Sequence, residues 1–143
     1  MILETFSYDR EAKKWSVRAL PVLDSERTLV LVFGSTDIID DPAPLRELRR
    51  AYPRAQLIGC SSAGEIIGTT VRDNSLSVAV ARFDKTTLAG AAVEVSNMAD
   101  SFGAGQQLAR KLQRPDLRGV LVLSEGLGVN GSQLVRGINA VLP

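Results

Sequence analysis

The stretch "TLVLVFGSTDIIDDPAPLRELRRAYPRAQLIGC", residues 28 to 60, decides the fold class. Its opening, "TLVLVF" at 28–33, is an unbroken β-branched and aliphatic run ending at Gly34, the pattern of a strand buried on both faces. "STDIIDDPAP" follows, where Asp41 suits an N-cap and Pro42 a first helical residue, so a helix should begin there. Leu45, Leu48, Ala51 and Tyr52 form its apolar stripe at helical spacing, Arg46, Glu47, Arg49 and Arg50 face water, and Pro53 stops it. "AQLIGC" is then a second strand, and a loop containing Cys60 leaves its end. Strand, helix and strand in this order predict an α/β fold, a mixed β-sheet flanked by helices.

Outward from this unit the pattern is less regular. In residues 1–27, "ETFSYD" and "WSVRAL" alternate loosely, an N-terminal extension with a short hairpin connected by the polar "DREAKK". "SLSVAVARF" (75–83) and "TLAGAAVEV" (87–95) alternate across "DKT" and predict an antiparallel hairpin. Asp100 or Ser101 caps a helix carrying Phe102, Leu108 and Leu112, ended by "QRPD". "GVLVLS" (119–124) reads as another buried strand. "GLGVNGS" then leads into a last helix with Leu134, Val135, Ile138, Val141 and Leu142 on its apolar face and Ser132 as N-cap.

Two segments resemble copies of one another. An offset of 90 positions lays "LVLVFG" (29–34) on "GVLVLS", and Leu45, Leu48, Ala51, Tyr52 and Pro53 on Val135, Ile138, Val141, Leu142 and Pro143. The first copy continues into a strand and the Cys60 loop, whereas the second stops at Pro143, so a truncated second strand-loop-helix repeat is expected. Such a chain is either a piece of a longer protein or completes its sheet with another chain.

The totals narrow the function classes. A chain of 143 residues with 45% hydrophobic and 23% charged residues is an ordinary globular domain, able to bury about 70% of its unfolded surface. Its net charge of +1, with no cluster of Lys and Arg interleaved with aromatics, provides no nucleic-acid footprint. No apolar run approaches the ~18 residues that cross a bilayer, and "MILETFSYDREAKKW" lacks a signal-peptide core, so a cytoplasmic protein without a membrane partner is expected. With no histidine and one cysteine, the usual general base and metal ligands are missing, and neither a metal site nor a cofactor is expected.

"LVLVFGS", a helix, "LIGCSSAGEI", and then "VLVLSEGLGVNGSQLVRGIN" together resemble the N-terminal half of the FIST domain, over residues 28–143. The resemblance implies a bacterial or archaeal sensory input module for signal transduction, working with output proteins such as histidine kinases or diguanylate cyclases. It also implies a small ligand such as an amino acid, and a second, C-terminal half. Some members sense nitric oxide through haem, and in this chain, which lacks histidine, that reading needs ligands from the C-terminal half.

In open α/β sheets, ligands sit beyond the carboxyl ends of strands. Three loops there are small and polar and carry one acid each: Ser35 and Asp37 after Gly34, Cys60, Ser61, Ser62, Gly64 and Glu65 in "GCSSAGE", and Ser124, Glu125 and Asn130 in "SEGLGVNG". Backbone N–H groups from Ser61 to Gly64 could cup a carboxylate, with an acid opposite for an ammonium, which suits an amino acid. The spacing matches neither a nucleotide P-loop nor a dinucleotide fingerprint. Cys60 lacks a base to activate it, and burial statistics favour core packing over pocket lining or catalysis. Glu65 is either the charge partner of a ligand or a local cap. Asn130 and Ser132 also read as an ordinary helix start. The expected function is therefore a non-enzymatic, ligand-binding sensory domain. A protein-interaction module associating through an open sheet edge and a thiol enzyme using Cys60 are the alternatives.

Overall fold

The computed structural model describes residues 1–142. The chain divides into two compact units, Met1–Leu88 and Ala89–Pro143.

The first unit is built on a five-stranded mixed sheet in the order β2-β1-β7-β3-β4. Its strands are β1 (Ile2–Asp9), β2 (Lys14–Trp15), β3 (Thr28–Gly34), β4 (Gln56–Ser61) and β7 (Ser75–Arg82). β3 and β4 are parallel, joined through helix α1 (Ala43–Ala51), because two parallel neighbours need a crossover. The other pairs are antiparallel. A small ribbon of β5 (Glu65–Ile67) and β6 (Thr70–Arg72) leaves the end of β4.

Helix α1 begins one residue later than the sequence predicts. Pro42 is its N-cap, and the Asp41 carboxylate accepts from the Ala43 N–H at 3.3 Å. Its stripe is as expected: Leu48 and Tyr52 are fully buried, Leu45 and Ala51 partly, while Arg46, Glu47, Arg49 and Arg50 are exposed. They pack on the sheet face formed by Phe6, Val30, Val32, Leu76, Val78 and Val80. Burying a Leu- or Phe-sized side chain in this way is worth about 1.5–3 kcal/mol, so this layer dominates the stability of the unit. On the opposite face Leu29, Leu31, Phe33 and Ile58 are only half-buried, so β3 is fully covered on one face rather than on both.

Residues 1–27 belong to this core. β1 lies between β2 and β7, with Phe6 and Tyr8 buried and Trp15 packed edge-on to both rings at 5.5 and 4.8 Å. The Trp15 Nε1–H donates to Glu47 at 2.9 Å, tying β2 to α1. The ladder between β1 and β2 stops at Trp15, so "WSVRAL" is mostly irregular.

The expected hairpin between 75–83 and 87–95 does not form. β7 pairs with β1 along one edge and β3 along the other, and a strand has only two edges. Residues 87–95 carry no ladder, and neither does the predicted buried strand at residues 119–124. Both segments instead lay alternate side chains, Val93, Val95, Val120 and Val122, against the helices of the second unit.

Those helices are α2 (Ser101–Leu112) and α3 (Gly131–Asn139). α2 presents Ser101, Ala104, Gly105 and Ala109 to the core, while Phe102, expected on that face, is 38% exposed. Close approach explains the preference for small residues. A Cβ on Gly105 would lie 2.2 Å from the Leu134 carbonyl oxygen, and one on Gly137 would lie 2.1 Å from that of Phe102. Val135 is likewise exposed, while Leu134 and Ile138 are buried. Asn130, not Ser132, is the N-cap of α3, its side chain accepting from the Gln133 N–H at 3.1 Å. Buried Ser101 joins the two helix starts, donating to the Met98 carbonyl and accepting from the Asn130 N–H. Among the described residues no helix is long and apolar enough to cross a membrane.

Candidate functional site

β1, β3 and β4 run in one direction, since β1 and β3 are each antiparallel to β7 and β4 is parallel to β3. Their carboxyl ends, at Asp9, Gly34 and Ser61, therefore share one rim of the sheet with Ser75, the first residue of β7. The backbone stitches the rim together: the Ser62 N–H donates to the Gly34 carbonyl at 2.8 Å and the Ser35 N–H to the Ser75 carbonyl at 3.3 Å.

Two polar clusters stand on this rim. The first is centred on Arg10, whose guanidinium donates to the Ser35 hydroxyl at 3.1 Å and to the Asp37 carbonyl at 2.8 Å. It also lies 3.6 Å from the Asp37 carboxylate, and its side chain is only 18% exposed, against 60% for Asp37. Arg10 thus holds the 3-10 turn Thr36–Ile39 against the end of β1, leaving the Asp37 carboxylate open to solvent. Nothing local singles out Arg10 within "YDREAKKW", and it becomes a site residue only when the strands align.

The second cluster surrounds Glu65, which is 2% exposed. One carboxylate oxygen accepts from the Ser62 hydroxyl at 2.9 Å, and the other accepts from the Ser75 N–H at 3.1 Å and the Ser75 hydroxyl at 2.9 Å. Glu65 therefore braces the β4–β5 loop to the start of β7, with both oxygens occupied within the chain. The Ser62 N–H is also occupied, which removes one donor from the nest expected over Ser61 to Gly64.

The remaining candidates are placed differently. Cys60 lies within β4 opposite Phe33, and it is exposed rather than packed in the core as burial statistics favoured. Ser61 is exposed beside it, and Gly64 is half-buried with room for a Cβ, its nearest neighbour being Val71 at 3.5 Å. In the second unit, the Glu125 carboxylate accepts from the backbone N–H groups of Leu127, at 2.6 Å, and Gly128, closing its own turn. Ser124 is exposed, and Asn130 is spent on the cap of α3. The structure thus gathers Ser35, Asp37, Ser62 and Glu65 with Arg10 and Ser75, while Ser124, Glu125 and Asn130 belong to the second unit.

The family model for the FIST N domain matches residues 28–143. The chain belongs to the FIST family. FIST domains are sensory modules of signal transduction, and two of the stretches that resembled the family in sequence, after Gly34 and after Gly59, supply the loops of the rim. No curated protein and no solved structure matches the chain. Among the described residues of this FIST domain, no three acids or thiols gather as metal ligands. The chain has no histidine, and its one thiol, Cys60, is exposed on the edge strand β4.

Proposed function

We propose that this FIST domain is a non-enzymatic, cytoplasmic input domain that binds a small zwitterion such as an amino acid at the rim and signals to an output protein, a histidine kinase or cyclase. The observation that carries the reading is the Arg10–Ser35–Asp37 cluster: a guanidinium and an open carboxylate, fixed by hydrogen bonds where parallel strands end. Asp37 would take the ammonium group, and the exposed Ser61 hydroxyl the carboxylate. Binding would favour one arrangement of these loops, a population shift read by the partner. Glu65, already satisfied, serves as the brace beneath the site.

Calorimetric titration of the chain with each common amino acid tests this reading. At least one should bind, and Asp37→Asn should weaken it by about tenfold, the equivalent of ~1.4 kcal/mol, while leaving the melting temperature unchanged. Failure of every amino acid to bind, or equal binding by Asp37→Asn, would overturn it. A second reading, self-association, is favoured by β4, which among the described residues has β3 as its sole ladder partner. A concentration-dependent sedimentation coefficient would select it.

A further inference from the structure

The second unit holds a cavity of about 830 Å³ between the 113–122 segment and helix α3. One part of its wall is apolar, with Val120, Val122, Ile138 and Leu142, and Gln113 and Asn139 add neutral polar groups. Arg114 and Arg118 also line it, and no acidic residue does. The turn "RPDL" lies between them: the Leu117 N–H donates to the Arg114 carbonyl at 3.2 Å, and both arginines line the same cavity. Among the described residues neither guanidinium has a carboxylate within 4.0 Å or a hydrogen-bond acceptor, although Asp116 lies between them in sequence.

The geometry points to a second binding site, one for an amphiphilic anion: a free medium-chain fatty carboxylate with its alkyl chain against the valines and Ile138 and its carboxylate between Arg114 and Arg118. The volume falls within the roughly 300–1,000 Å³ usual for small-molecule sites, and such sites pair an apolar wall with a few convergent polar groups. The guanidinium fork matches a carboxylate bidentately, so charge complementarity selects an anionic head over a neutral or cationic one. The proposal concerns the second unit alone and stands independently of the amino-acid site at the rim.

The test is titration of the isotopically labelled chain with sodium decanoate, followed through its backbone amide resonances, beside decanol as a neutral probe of equal chain length. Decanoate should shift the amides of Val120, Val122, Ile138 and Leu142 saturably below about 1 mM. The double variant Arg114→Gln/Arg118→Gln should weaken decanoate by at least about tenfold and leave decanol unchanged. Arg114→Lys/Arg118→Lys, which keeps the charge and loses the fork, should recover only part of the affinity. Because both side chains are exposed and unpartnered, resonances away from the cavity should not move in either variant. Absence of saturable shifts, equal binding of decanoate and decanol, or indifference to the Gln variant would overturn the proposal. So would saturation of the cavity by an aspartate-flanked apolar peptide that decanoate cannot reproduce, which would make the cavity a protein-docking groove.

Discussion

Replacing Glu65 separates the two roles its position allows. Three hydrogen bonds end on its buried carboxylate, from the Ser62 hydroxyl and from the Ser75 N–H and hydroxyl. A hydrogen bond to a charged group contributes about 1.5–3 kcal/mol, the three are not additive, and a buried N–H left without a partner costs about 1–3 kcal/mol. Glu65→Ala should therefore destabilise the first unit by about 3–5 kcal/mol, a large part of the 5–15 kcal/mol typical of a whole domain. Glu65→Gln should cost only about 1 kcal/mol, because its amide oxygen can still accept from Ser75 while its NH₂ donates to Ser62, whose hydroxyl can turn to accept. Urea denaturation followed by the fluorescence of Trp15, the one tryptophan and a member of the same unit, measures both. If Glu65→Ala loses less than about 1 kcal/mol, or if the two variants are equally damaged, the bracing role is wrong. An amino acid bound at the rim should retain its affinity in Glu65→Gln, since neither oxygen is free to meet it.

Gly137→Ala would place a methyl 2.1 Å from the Phe102 carbonyl oxygen and force the helices apart, whereas Gly103→Ala meets nothing within 4 Å. Circular dichroism melts should show the first destabilised by about 1–3 kcal/mol and the second stabilised by up to ~1 kcal/mol from helix propensity, and matching shifts would refute the close approach of α2 and α3. Cys60, exposed on β4, should be alkylated stoichiometrically in the native state; a thiol that reacts only in denaturant would contradict its placement. Burial, with the Asp24 charge adding to it, pushes the Tyr52 phenol up to about 12, and its hydroxyl donates to the Pro21 carbonyl at 2.9 Å. The folded state holds this proton more tightly than the unfolded state, so the associated stability is complete below pH 10.0 and is lost as pH rises through about 12. Tyr52→Phe should flatten that alkaline loss, and an unchanged profile would assign it to another group.

Much of the first unit was legible in its sequence because its signals are local. The run at 28–33, the stripe Leu45, Leu48, Ala51 and Tyr52, and the alternation at 75–82 each report one element's own burial, and all three elements form. Pairing is different, since a strand does not encode its neighbours. β7 reads equally well as half of a hairpin with 87–95, but β1, from far along the chain, takes that edge. Residues 87–95 and 119–124 have strand-like alternation without a ladder, because apolar alternation also suits an extended segment packed on helices. In α2 the apolar residues suggested a face through Phe102, whereas the face that packs is the one small enough for two backbones to approach.

The candidate site divides along the same line. Small polar residues and an acid beyond a strand end were visible at Ser35, Asp37, Ser62 and Glu65, because that composition is local. That Glu65 is sealed beneath the rim by Ser75, and that Arg10 grips Ser35 and Asp37, depends on strands brought together from three parts of the chain. By itself the sequence determined the α/β class, most of the elements and the family, which are properties of short-range pattern and motif. Only the tertiary structure decided which strand edges meet, which helix faces touch and which polar groups already have partners, since each depends on residues far apart in the chain that only the completed fold makes neighbours.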